Sequence, residues 1–110
     1  MLNARLYMLQ RITALLMAPL VLGHLATMIY AIQGGLSAAE ILGRTQGSAL
    51  WFLFYGLFVV AVSVHGAIGL RVIVFEWAGL KGRALDVFMW AVGLGLFALG
   101  AAAVRAVTLT

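Results

Sequence analysis

Two histidines, His24 and His65, lie inside uncharged apolar runs long enough to cross a bilayer. An ionisable group at membrane depth is costly, and it usually has both a partner and a function. His65 opens the string His65-Gly66-Ala67-Ile68-Gly69-Leu70-Arg71. A neutral imidazole can coordinate haem iron through one nitrogen while the other donates a hydrogen bond that fixes the ring. Gly66 and Gly69 stand beside it, and the missing side chains admit either a flat macrocycle or a neighbouring helix. Arg71 lies six residues on, about 9 Å along a helix axis, where a guanidinium can pair with a haem propionate near the interface. The competing reading is a histidine hydrogen-bonded to another helix, with the glycines serving close packing alone.

His24 lies thirteen residues beyond Arg11, about 20 Å of helix rise, whereas His65 is only about 9 Å inside Arg71. If both arginines mark one interface, the histidines differ in depth by roughly 10 Å and are poor candidates for the two axial ligands of one haem. Two haems, each completed by a partner chain, fit better; the alternative for His24 is a packing hydrogen bond. Pro19 precedes it and removes the bond to the Leu15 carbonyl, which predicts a kink. Arg11 and Thr13 open the first span with Tyr7 and Gln10 just before. Arg11 can neutralise a propionate or bond a quinone carbonyl, with Tyr7 as second donor. The alternative is a snorkelling arginine and an interfacial tyrosine. Trp51, Trp77 and Trp90, near span ends, read as interfacial anchors.

These residues need long apolar helices to hold them, and the composition supplies them. The chain of 110 residues is 65% hydrophobic and 9% charged, far from a soluble domain at about half and about a quarter. The runs Ile12–Ile32, Ala49–Leu70 and Val87–Val104 carry no charge over 21, 22 and 18 residues, against about twenty needed to span. Period-2 alternation is absent, so the spans are helices, not barrel strands. The first run is longer than a signal-peptide core and reads as a retained helix. The prediction is an all-α membrane protein forming one transmembrane domain over 1–110, with helices about 8–33, 47–76 and 84–107. Ser37 to Leu42 reads as a brief interfacial helix.

Arg5, Arg11, Arg71, Lys81 and Arg83 fall on one side and only Arg44 and Arg105 on the other. This bias predicts a cytoplasmic N-terminus. The acidic residues Glu40, Glu76 and Asp86 are expected in loops, the last two solvated or paired with Lys81 or Arg83. Ala91 and Gly95 are the expected close-packing pair of the last span. Lack of cysteine excludes disulfides, thiolate catalysis and a cysteine-held iron–sulfur cluster. The cations are scattered singly, which argues against nucleic acid. Three spans form too thin a bundle for transport alone, so a partner chain is expected in the bilayer.

The segment from His65 to Arg71, followed by Glu76 and Gly79-Leu80, resembles the second helix of the cytochrome b membrane-anchor subunits of succinate dehydrogenase and fumarate reductase. Their pattern there is His-x-x-x-Gly-[Ile/Leu]-Arg-His, then an acidic residue and a short loop. Gln10-Arg11-Ile12-Thr13-Ala14 is similar to the family's His-Arg-[Val/Ile]-[Ser/Thr]-Gly. The resemblance implies a heterotetramer in which a flavoprotein subunit and an iron–sulfur subunit sit on the cytoplasmic face. Two membrane anchors hold haem b and bind quinone. It implies His65 as axial ligand, Arg71 near the propionates, and Arg11, Tyr7 and Thr13 around the quinone and haem region. His24 is similar in placement to the helix-one ligand of two-haem members. Gln10 and Val72 stand where the family has histidine, Glu76 where it has aspartate, and Tyr7 where a serine is usual. The implied location is the cytoplasmic (inner) membrane of a bacterium or archaeon.

Three other readings remain. One is a haem-free structural anchor for a soluble dehydrogenase, and another is the cytochrome b subunit of a different quinone-linked dehydrogenase. The last is a small transporter or holin-like assembly, disfavoured because no carboxylate lies within a span.

Overall fold

In the computed structural model, which describes residues 2–109, all the regular structure is helical. The elements are α1 (Ala4–Gln33), α2 (Ala38–Thr45), α3 (Ala49–Ala78) and α4 (Gly82–Thr108). Three of them are long and apolar enough to cross a membrane. At 1.5 Å per residue the 30-residue helices α1 and α3 run about 45 Å, the thickness of a bilayer with its headgroups.

Local chemistry sets the starts. Asn3 Oδ1 accepts from Leu6 N at 2.9 Å, Ser37 Oγ from Glu40 N at 3.0 Å and Ser48 Oγ from Trp51 N at 3.2 Å. Each cap satisfies a donor that the first helical turn leaves unpaired. The Asn3 cap explains why α1 begins four residues before the predicted start. α3 ends at Gly79, whose φ of 73° lies in the left-handed region open to glycine. α1 runs unbroken through Pro19.

Helix α3 is the central element, packed on α1 along one side and α4 along the other. Its span is 28% buried against 6% for α1 and for α4. Ala61, Ser63, Ala67 and Ile68 form its buried face, mostly small residues that let the helices approach. On α4 the close contacts fall at Gly93 and Gly100. A Cβ at Gly93 would meet the Ala67 methyl at 3.3 Å, and one at Gly100 would meet Val59 Cγ1 at 2.5 Å. The expected pair, Ala91 and Gly95, does not make this contact: Gly95 faces open space. Spacing alone left the rotation of α4 undecided.

The short α2 is tied to the end of α4. Thr45, fully buried, donates to the Val107 carbonyl at 2.7 Å, and Gly47 N donates to the Thr108 carbonyl at 2.8 Å. The acidic residues lie within helices rather than in the connections. Glu40 lies in α2, Glu76 in α3 and Asp86 in α4. Elsewhere the surface is apolar, with Leu15, Leu50 and Leu99 each about three-quarters exposed. Such a surface suits lipid or another membrane chain.

Candidate functional site

The α1–α3 interface brings His65 to Thr13. His65 Nδ1 lies 3.2 Å from Thr13 Oγ1, which is also 2.8 Å from the Leu9 carbonyl and 3.1 Å from the Gln10 carbonyl. Thr13 is buried at 6% exposure, whereas Arg11 and Tyr7 are exposed. Thr13 therefore belongs with His65 rather than on the Arg11–Tyr7 face. His65 Nε2 makes no hydrogen bond within the described residues. Nor does it fall among their buried unpartnered atoms, which are only Gln10 Oε1 and Arg44 Nε. The second imidazole nitrogen is thus unpartnered and not fully enclosed among the described residues.

The glycines beside His65 are taken up by helices. A Cβ at Gly66 would meet Leu96 of α4 at 3.2 Å, and one at Gly69 would meet Gln10 Nε2 of α1 at 3.4 Å. The space beside both glycines is thus lined by side chains of neighbouring helices. Gln10 and Thr13, three residues apart, share the face of α1 that covers His65 and Gly69. The buried, unpartnered Gln10 Oε1 lies at this same seam.

Arg71 NH1 donates to Asp86 Oδ1 at 2.6 Å and approaches Met89 Sδ at 3.9 Å. Asp86 thus pairs with Arg71, not with Lys81 or Arg83. The short Gly79–Lys81 connection places the start of α4 beside the end of α3. The Arg71 side chain is only 11% exposed and that of Asp86 59%. Arg11 and Tyr7 meet each other one turn apart, with NH1 at 3.5 Å from the phenol oxygen and the guanidinium 5.8 Å from the ring centroid.

His24 occupies a different level. Its ring is 5.0 Å from that of Phe58 and 6.2 Å, edge-on, from that of Tyr55. These partners precede His65 on α3 by seven and ten residues, about 10 and 15 Å of axial rise. The histidines are therefore separated along the bundle, as the counting from the arginines predicted. The His24 ring nitrogens make no hydrogen bond among the described residues. The side chain lines a cleft of about 450 Å³ with Phe58, Val59, Leu96 and Val104.

Two features escaped the sequence reading. Arg44 lies between two aromatic rings, its guanidinium 5.2 Å from Tyr30 and 5.6 Å from Trp51. Thr45 and Gln10 acquire their roles only from α4 and α3 respectively. No periodicity marks any of these residues, since each depends on which helix faces which. Among the described residues no cluster of three or more histidine and acidic side chains could hold a metal ion.

No curated protein and no solved structure matches the chain. The family model described as succinate dehydrogenase/fumarate reductase transmembrane subunit matches residues 2–105. With three membrane-length helices and nearly its whole length matched, the chain belongs to the succinate dehydrogenase/fumarate reductase transmembrane-subunit family.

Proposed function

We propose that this subunit binds haem b through His65 and, with Arg11 and Tyr7, helps to form a quinone site. In this way it would connect the iron–sulfur subunit of the complex to the quinone pool. The observation that carries the reading is the unpartnered Nε2 of a mid-span histidine, in a chain of this family, with its other nitrogen engaged by Thr13. A ligating imidazole needs that division: one nitrogen bare and the other held. His65 would hold the haem on this chain, with a partner anchor completing the site.

Haem b supplies one-electron transfer, which matches iron–sulfur centres to a two-electron quinone. The chain's own residues bind and orient. Arg71, about 9 Å along α3 from His65, supplies positive charge for a propionate. Its guanidinium has five N–H donors, so Asp86 can remain bound alongside. Arg11 would donate to a quinone carbonyl and Tyr7 to the other, both on an exposed face of α1 near its start.

His24 is proposed as the ligand of a second haem, in the outer half of the bundle. Among the described residues its ring has no hydrogen-bond partner, and it lines an apolar cleft. An imidazole at that depth without a partner is costly.

The test is a dithionite-reduced minus oxidised spectrum with pyridine haemochrome quantification, on the complex purified through a tag on this chain. One haem b per complex, lost in His65→Ala with membrane insertion intact, is expected if His65 alone ligates. Two haems, one lost in His24→Ala, bring His24 in. A complex that retains its dehydrogenase subunits without any haem refutes the reading and leaves a structural anchor. Full haem content in His65→Ala refutes the ligand assignment.

A further inference from the structure

Where Thr13 meets His65, the number of available hydrogens decides which ring nitrogen carries the proton. A threonine hydroxyl has one hydrogen and two lone pairs. Thr13 Oγ1 sits 2.8 Å from the Leu9 carbonyl oxygen and 3.1 Å from that of Gln10, both acceptors only. Its hydrogen is therefore directed back to the preceding helical turn. A bond across the 3.2 Å to His65 Nδ1 then requires the ring to donate and the hydroxyl oxygen to accept. A neutral imidazole has one N–H, so Nε2 is left as a bare lone pair. The reverse arrangement would exchange a 2.8 Å contact for a 3.2 Å one. It would also leave an Nε2–H donor with no acceptor among the described residues. At 6% exposure Thr13 has little access to solvent or lipid that could compensate, and in such low-dielectric surroundings the choice of partner carries weight.

We propose that Thr13 is a positioning residue that holds His65 as its Nδ1–H tautomer and so presents Nε2 to a haem iron. The back-bond to Leu9 fixes the threonine rotamer, and the threonine in turn fixes the plane of the imidazole. An acceptor at Nδ1–H makes Nε2 more basic, which favours the oxidised iron. The part that concerns iron rests on the reading of His65 as a ligand. The tautomer itself is a property of the chain without haem.

Two substitutions separate the hydroxyl from the shape. Thr13→Val keeps the shape and removes the hydroxyl; Thr13→Ser keeps the hydroxyl and removes a methyl. The first readout is ¹⁵N NMR of the full, histidine-labelled chain in lipid bilayers without haem, with the His65 signal identified by its loss in His65→Ala. The second is haem retention and midpoint potential of the purified complex. Wild type and Thr13→Ser are expected to carry the proton on Nδ1, and Thr13→Val to show both tautomers. In the complex Thr13→Val should weaken haem binding by about tenfold, the low end for an outer-shell partner, and shift the potential upward, with Thr13→Ser restoring both. A wild-type Nε2–H tautomer overturns the proposal, as does a Thr13→Val chain with unchanged tautomer and potential. Damage by Thr13→Ser with a silent Thr13→Val would assign the residue to packing. Full haem in His65→Ala, with the tautomer still lost in Thr13→Val, would keep the tautomer and refute only the ligand reading.

Discussion

Alanine placed at three helical glycines should give three different outcomes, and the order follows from what each new methyl would touch. At Gly100 the methyl meets Val59 Cγ1 at 2.5 Å, Cγ2 at 2.8 Å and Cβ at 3.2 Å. A valine in a helix is locked at χ1 and cannot swing aside, so α4 must move away from α3. Overpacking of this kind costs about 1–3 kcal/mol, or about 5- to 150-fold in the packing equilibrium at 1.4 kcal/mol per decade. At Gly66 the only close atom is Leu96 Cδ1 at 3.2 Å, the far end of a flexible side chain, so the cost should stay below about 1 kcal/mol. At Gly95 nothing lies within 4 Å. There the usual gain of about 1 kcal/mol for alanine over glycine in a helix should largely vanish, because separated spans stay helical in a bilayer. Steric-trap unfolding of the full chain in bilayers measures all three. The predicted order is Gly95→Ala equal to wild type, Gly66→Ala slightly weaker and Gly100→Ala weakest. A Gly100→Ala chain as stable as wild type would refute the packing of α4 on α3, and so would equal losses at Gly66 and Gly100. The same series bears on function. If Gly66 serves Leu96 rather than a macrocycle, Gly66→Ala should keep its haem.

Other substitutions probe the remaining contacts. Asp86→Ala should cost less than about 1 kcal/mol in the same unfolding assay, since a 59% exposed carboxylate is well solvated; Arg71→Ala should lower haem content, and full retention would take Arg71 out of that site. Thr45→Val removes the donor to the Val107 carbonyl and should cost about 1 kcal/mol, with faster hydrogen exchange at the Gly47 amide that bonds Thr108. Unchanged exchange there would mean that α2 is held on α4 by other contacts. Arg11→Ala should lower quinone reductase activity more than haem content, whereas equal loss of both would place Arg11 beside the haem.

Most of the architecture was legible in the sequence, because a bilayer leaves few options: an uncharged run of about twenty residues must satisfy its backbone internally and becomes a helix. The three spans and the separation of His24 from His65 follow from counting residues along axes. The family too was legible, from the spacing of His65, Gly69 and Arg71 and the Gln10–Ala14 segment, and the match over residues 2–105 bears it out. Helix ends were less legible, since polar caps such as Asn3 extend a helix beyond its apolar stretch. Rotation about the helix axes was not legible at all. In lipid, apolar residues on every face are acceptable, so α1 and α3 show no one-sided pattern that would mark the buried side. Only the packed bundle decided that Gly93 and Gly100, not Gly95, face α3, that Asp86 takes Arg71, and that Thr13 turns inward to His65 while Arg11 turns outward to Tyr7. Each of those pairings joins residues on different helices or chooses between faces of one helix, and short-range contacts of that kind depend on orientations that hydropathy does not encode.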